Sequence, residues 1–162
     1  MKLIRIFLIT FLSLLLFYCG SVTKIFKPLD PTIFQEGKVV NYEILKIEPG
    51  ETNSPKHFLI ALDSYLEVRL KEYGLMYEGD KNLQVKIEVD AYRMRKGFIK
   101  KALGIFGGKD GVQSYIKIID KVTGKVIGEA AINTSNIGSS TTIDDMARLH
   151  ANKIANFLYG KD

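Results

Sequence analysis

Cysteine occurs once in these 162 residues, tryptophan not at all, histidine twice and proline four times. A single cysteine excludes an internal disulfide and any zinc site built from several thiolates of this chain. The two histidines, His57 and His150, are far apart in sequence, and neither has a partner at metal-ligand spacing, so no metal and no cofactor is expected. No apolar run reaches the ~20 residues that a helix needs to cross a bilayer. Internal repeats and low-complexity tracts are absent. What is present is ordinary for a single folded domain: 46% hydrophobic and 25% charged residues, with a formal net charge of +5.

The N-terminus carries Lys2 and Arg5, then an uncharged apolar stretch from Ile6 to Tyr18 that stops at Cys19. A short greasy segment behind positive charge reads as a secretory signal peptide (1–18) rather than as a membrane span. Leu14-Leu15-Leu16-Phe17-Tyr18-Cys19-Gly20 resembles the lipobox of bacterial lipoproteins, with Leu16 at the preferred apolar position and Tyr18 where that family places a small residue. The resemblance implies cleavage before Cys19 and lipidation of its thiol (diacylglycerol, then N-acylation, palmitate among the acyl chains). Several acyl chains anchor stably where one would not. The export signal also accounts for part of the basicity. Without Lys2 and Arg5 the chain has 21 basic against 18 acidic side chains, a net +3, and a nucleic-acid partner loses its compositional support. Gly20 after Cys19 fits sorting to the outer membrane.

Residues 19–37 hold Gly20, Pro28, Pro31 and Gly37 with little periodicity and are expected to be a lipidated tether, leaving 38–160 as one domain. Strand-like residues run from Lys38 to Glu48. Ser54-Pro55 suits a helix start, with the serine as cap, and Phe58, Leu62, Leu66 and Leu70 recur on one helical face until Gly74 closes it. Leu83, Val85, Ile87, Val89 and Ala91 alternate with Gln84, Lys86, Glu88, Asp90 and Tyr92, which predicts a strand with one buried side. Two further strands, 112–120 and 125–134, flank the turn Lys121-Val122-Thr123-Gly124. Thr142-Ile143-Asp144-Asp145 reads as a capping box opening a second helix, with Met146, Leu149, His150, Lys153, Ile154, Phe157 and Leu158 on its inner edge. The expected fold is α+β and two-layered, in the order β-α-β-β-β-α. Its sheet has about four mainly antiparallel strands, with both helices on one face.

Three pieces resemble an uncharacterised family of small bacterial envelope lipoproteins, a domain of unknown function. They are Gly74-Leu75-Met76-Tyr77 closing a helix, the glycine-rich Gly104–Gly111 leading into a strand, and the hairpin Ile118-Ile119-Asp120-Lys121-Val122-Thr123-Gly124-Lys125. The resemblance implies an envelope lipoprotein without established enzymatic activity and carries no reaction-specific motif.

No catalytic residues stand out, and the chain is not expected to be an enzyme. Glu88 and Asp90 share an outward strand face with Lys86, which alternation alone explains. Gly104–Gly111 lacks the Gly-Lys-Ser/Thr ending of a phosphate loop, since Asp110 follows Lys109. One segment stands apart: Arg93, Arg95, Lys96, Lys100, Lys101 and Lys109 against Asp110 give 93–111 a net +5, interleaved with Phe98, Ile99, Leu103, Ile105 and Phe106. This segment is either a solvated insertion or a contact for anionic membrane or lipopolysaccharide. The expectation is an exported, lipid-anchored accessory protein of the bacterial envelope that binds a protein partner. A hydrolase would need His57 or His150 in a pocket beside a carboxylate and a hydroxyl.

Overall fold

Period-two alternation and period-3.6 stripes give the elements their inward and outward sides, and the sides decide the packing. The computed structural model describes residues 23–35, 39–50, 53–95, 109–136 and 141–161. Strand β1 (Thr23–Lys27) is followed by a short 3-10 turn at Pro31–Phe34, then β2 (Tyr42–Pro49), α1 (Lys56–Glu72), β3 (Leu83–Arg93), β4 (Asp110–Asp120), β5 (Val126–Asn136) and α2 (Ile143–Leu158). The five strands form one sheet in the order β1-β5-β4-β3-β2. The α+β class and the two helices are as expected, but the sheet has five strands, not about four.

The fifth strand corrects the tether. Thr23–Lys27 pairs antiparallel with β5, Thr23 opposite Ile132, so the folded body begins by Thr23 rather than at 38. Leu29 packs onto Gly128, where a Cβ would come within 2.8 Å of its Cδ2, which fixes the connection onto the sheet. A second difference is the sense of β2. It runs parallel to β3, because α1 between them supplies the crossover that a parallel pair requires, while the other pairings are antiparallel.

Both helices cover one side of the sheet. Phe58, Leu62, Leu66 and Leu70 of α1 and Met146, Ala147, Ala151, Ile154, Ala155 and Leu158 of α2 are buried with Val85, Ile87, Val89, Ile116, Ile118 and Ile132 of the strands. Of the expected inner edge of α2, Met146, His150, Ile154, Phe157 and Leu158 are buried, Leu149 is exposed and Lys153 half-buried, and Ala147, Ala151 and Ala155 complete the stripe. Hydrogen bonds tie the helices together, Tyr65 Oη to Asp144 (2.6 Å), Arg69 Nε to Asn152 Oδ1 (2.6 Å) and Tyr73 Oη to Asn156 Oδ1 (2.8 Å).

The caps divide. Thr142 and Asp145 form the expected capping box, with Asp145 N donating to Thr142 Oγ1 (3.0 Å) and Thr142 N to Asp145 Oδ2 (3.1 Å). The Thr142 hydroxyl, donating to Asp145 Oδ2 at 2.8 Å, together with the Thr142 N–H holds the Asp145 carboxyl below its ordinary range. Ser54 does not cap α1. Pro55 occupies the cap position, with no side-chain bond to the helix, and the buried Ser54 hydroxyl has no hydrogen-bond partner among the described residues. In the β4–β5 hairpin, Asp120 Oδ1 accepts from Thr123 N (2.6 Å) and Oγ1 (2.8 Å), and Gly124 takes φ +66. The Asp…Thr-Gly-Lys pattern is thus a turn held by its own aspartate.

Candidate functional site

The expected sites are the basic segment, the histidines and the outward carboxylates. Of the basic set, Lys96, Lys100 and Lys101 lie outside the described residues. Arg93 and Lys109 are exposed at one end of the sheet. Arg95 is different and corrects the expectation. Its side chain is 2% exposed and its Nε lies 3.1 Å from Oδ1 of Asp110, itself fully buried, which also accepts from the Arg95 backbone N at 2.7 Å. A buried guanidinium must be paired, so Arg95 is committed to clasping the end of β3 to the start of β4 and cannot meet a membrane.

His57 is exposed on the first turn of α1. His150 is fully buried, with Nδ1 2.8 Å from Thr134 Oγ1 and Nε2 2.7 Å from Ser114 Oγ. Burial disfavours its charged form and lowers its pKa to about 3. The ring therefore stays neutral, bridging β4, β5 and α2. Both ring nitrogens are spent on hydroxyls, so neither is bonded to a carboxylate that would orient the ring as a base. Sequence carried a signal for this string: Ser114 and Thr134 occupy inward positions of their alternating strands, beside Val112, Ile116 and Ile132.

The outward face of the sheet is organised by strand register. β3 has an irregularity between Val89 and Ala91, so alternation breaks at Asp90. Ala91 turns outward and Tyr92 inward onto Phe58, centroids 4.8 Å apart, the reverse of the strict alternation expected. Asp90, the extra residue at the irregularity, stays beside Glu88 as expected: a Cβ at Gly50 would meet Asp90 Oδ1 at 2.9 Å and Glu88 Oε1 at 3.2 Å. A similar irregularity in β2 between Ile44 and Lys46 keeps its lower part in phase.

The result is two adjacent rows across the outward face. Lys46 of β2, Lys86 of β3 and Lys117 of β4 stand side by side, and Lys117 faces Glu129 of β5. One step along, Glu48 stands beside Glu88, and Glu88 beside Tyr115. These residues with Leu45 line a groove of about 430 Å³. Lys46 is ion-paired with Glu48, Lys117 lies 4.0 Å from Glu129 and 5.2 Å above the Tyr115 ring, and Phe26 of β1, half-exposed, meets Tyr115 edge-on at 5.8 Å. Lys86 and Glu88 in the middle are exposed and form no ion pair among the described residues. Sequence alone could not find this site, because Lys46, Lys86 and Lys117 meet only through pairing of three strands.

No family model matches the chain, and no curated protein matches it. Solved structures do. One protomer of the PelC dodecamer from Paraburkholderia phytofirmans superposes with a TM-score of 0.59 at 14% identity, covering 85% of this chain and 97% of that one. A second crystal form of that dodecamer gives 0.56 at 12%. A candidate lipoprotein from Caulobacter crescentus matches at 0.45 and 12%, over 70% of this chain and 87% of that one. A Xanthomonas campestris protein of the unknown-function family DUF330 matches at 0.44 and 8%, over 85% and 94%. At these identities the PelC match shows a shared fold: this chain has the architecture of a PelC protomer over nearly that protomer's whole length.

Proposed function

We propose that this chain is an exported lipoprotein, acylated at Cys19 and held at the outer membrane, that works by binding other envelope components and not by catalytic turnover. The observation that carries the reading is the short apolar run ending at the sole cysteine behind Lys2 and Arg5. Among the described residues no helix is long and apolar enough to cross a membrane. The sealed neutral His150 supports a role without general-base chemistry. A protein that shares the fold, PelC, assembles as a dodecamer, which supports action in association with other chains.

Strand β1 sharpens the picture. Thr23 follows Cys19 by four positions, a reach of at most about 14 Å, so an acylated Cys19 would hold the sheet close to the bilayer. Thr23 is opposite Ile132, and three residues further along β5, Ser135 pairs with Gly111, which pairs with Arg93. Attachment would therefore bring the sheet end bearing Arg93 and Lys109 toward the lipid surface. This favours a second reading, in which the basic stretch around it, with Lys96, Lys100 and Lys101, touches anionic lipid or lipopolysaccharide.

Labelled palmitate should be incorporated by the native chain and not by Cys19→Ala, and equal labelling in the two would end the lipoprotein reading. For the second reading, neutralising Lys96, Lys100 and Lys101 should weaken binding to anionic vesicles, most clearly at low salt. Unchanged binding would remove it.

A further inference from the structure

We infer that the outward face of the sheet is a self-complementary docking surface for a second copy of this chain, centred on Lys86 and Glu88. The inference names a surface and an occupant that the binding reading leaves open, and it does not depend on acylation.

Like charges placed directly opposite on neighbouring strands destabilise a sheet. This face has that arrangement twice: Lys46, Lys86 and Lys117 abreast, and Glu48 and Glu88 abreast, one step apart. The outer lysines find relief within the chain, Lys46 from Glu48 and Lys117 from Glu129 and the Tyr115 ring. The central pair does not, since neither Lys86 nor Glu88 has an ion-pair partner among the described residues. A partner that relieves it must present a negative row over the lysines and a positive row over the glutamates, in the same spacing.

A second copy turned over supplies this pattern. A two-fold axis lying in the interface, running across the strands between the two rows, exchanges the rows and leaves each strand opposite itself. Lys86 then faces Glu88 of the other copy, Lys46 faces Glu48, and Lys117 faces the ring of Tyr115. Two opposite-charge contacts and a cation–π contact are thus each made twice, as a two-fold interface requires. At the far edge Lys27 would meet Lys24, but strands twist by roughly 20–25° each. β1 is three strands from β3, and two twisted sheets laid face to face diverge at such corners. The contact is therefore carried by β2, β3 and β4. Their face measures roughly 15 Å by 30 Å, less than the ~800 Å² per partner of a standard interface, so the dimer is a weak and salt-sensitive one.

The test is charge exchange on the full-length chain in mild detergent, at about 100 µM and low salt, read by sedimentation. The native chain should be dimeric and should dissociate at about 1 M salt. Lys86→Glu alone opposes Glu to Glu, and Glu88→Lys alone opposes Lys to Lys, so each should be monomeric. An equimolar mixture of the two should restore a mixed dimer, and the double exchange K86E/E88K should restore a homodimer. Cys19→Ala should dimerise like the native chain, which separates this result from the fate of the lipid reading. A native chain that stays monomeric under these conditions would overturn the inference. So would a dimer that survives both single reversals, or a mixture that does not reassociate.

Discussion

The two sides of one sheet treat polar groups in opposite ways. On the helix side, buried polar side chains are tied to specific partners over long sequence separations: Asp110 to Arg95, His150 to Ser114 and Thr134, and the Tyr42 hydroxyl to the Leu158 carbonyl at 2.9 Å. On the outward side, charges stand in rows of one sign and the central two have no ion-pair partner among the described residues. A buried group left unpaired costs the full loss of its hydration, so the helix side pairs most of the polar groups it buries, the Ser54 and Tyr92 hydroxyls being exceptions among the described residues. Exposed charges cost far less than buried ones, even when like charges stand side by side, so the outward side is free to be patterned for something outside the chain. Polar residues on one side report on stability, and those on the other report on recognition.

The sharpest way to break this distinction is at Asp110. Asp110→Ala leaves the Arg95 guanidinium buried without its carboxylate. Loss of one partner of a buried pair typically costs about 3–5 kcal/mol, which should appear as a large fall in melting temperature. A fall no greater than that of an outward substitution would mean the clasp is not buried in solution.

His150 provides the next test, through pH. The unfolded chain protonates this histidine near its ordinary pKa of 6.5, whereas the folded chain resists protonation until about pH 3. Between these values the unfolded state binds the extra proton, so stability falls as pH falls through that window and levels off below it. From pH 6.5 to 4.5, before most carboxylates titrate, the loss should be roughly 2–3 kcal/mol, at up to ~1.4 kcal/mol per unit. Urea unfolding at the two pH values measures it. His150→Gln should flatten the slope, and an unchanged slope would assign it elsewhere.

Much of the helix side was legible because its signals are local. The leucines of α1 recur at helical spacing, the Thr142–Asp145 box is contained in four residues, and the Asp120 turn in five. What was not legible depends on distant residues. β1 is only five residues, exposed along most of its length, and exists because β5 offers it an edge more than a hundred residues away. Asn41 is buried because its side chain bonds the carbonyls of Tyr77 and Asp80 and accepts from Lys81, a loop that no periodicity in β2 announces. The reversal at Asp90 follows from a register irregularity between β3 and β4, which only pairing can create. Arg95 looked like one of six surface cations because charge counting cannot distinguish a guanidinium in water from one clasped by a buried aspartate. The lysine row was invisible for the same reason as β1, since register assembles it from three strands.

The smallest expected effect is also the one that separates the two sides most finely. At about 1 µM, where a weak dimer is dissociated, Lys86→Ala should change stability by no more than about 0.5 kcal/mol, as exposed substitutions generally do. The sign should favour the variant, because the substitution removes a like charge standing between Lys46 and Lys117. At about 100 µM the order should reverse. Association of folded chains adds stability by mass action, so the native protein should gain resistance to urea with concentration while Lys86→Ala gains less. A concentration-independent native midpoint, or an equal gain in both proteins, would mean that the outward charges recognise no second copy. The cost of standing in rows would then have to be met by a different partner.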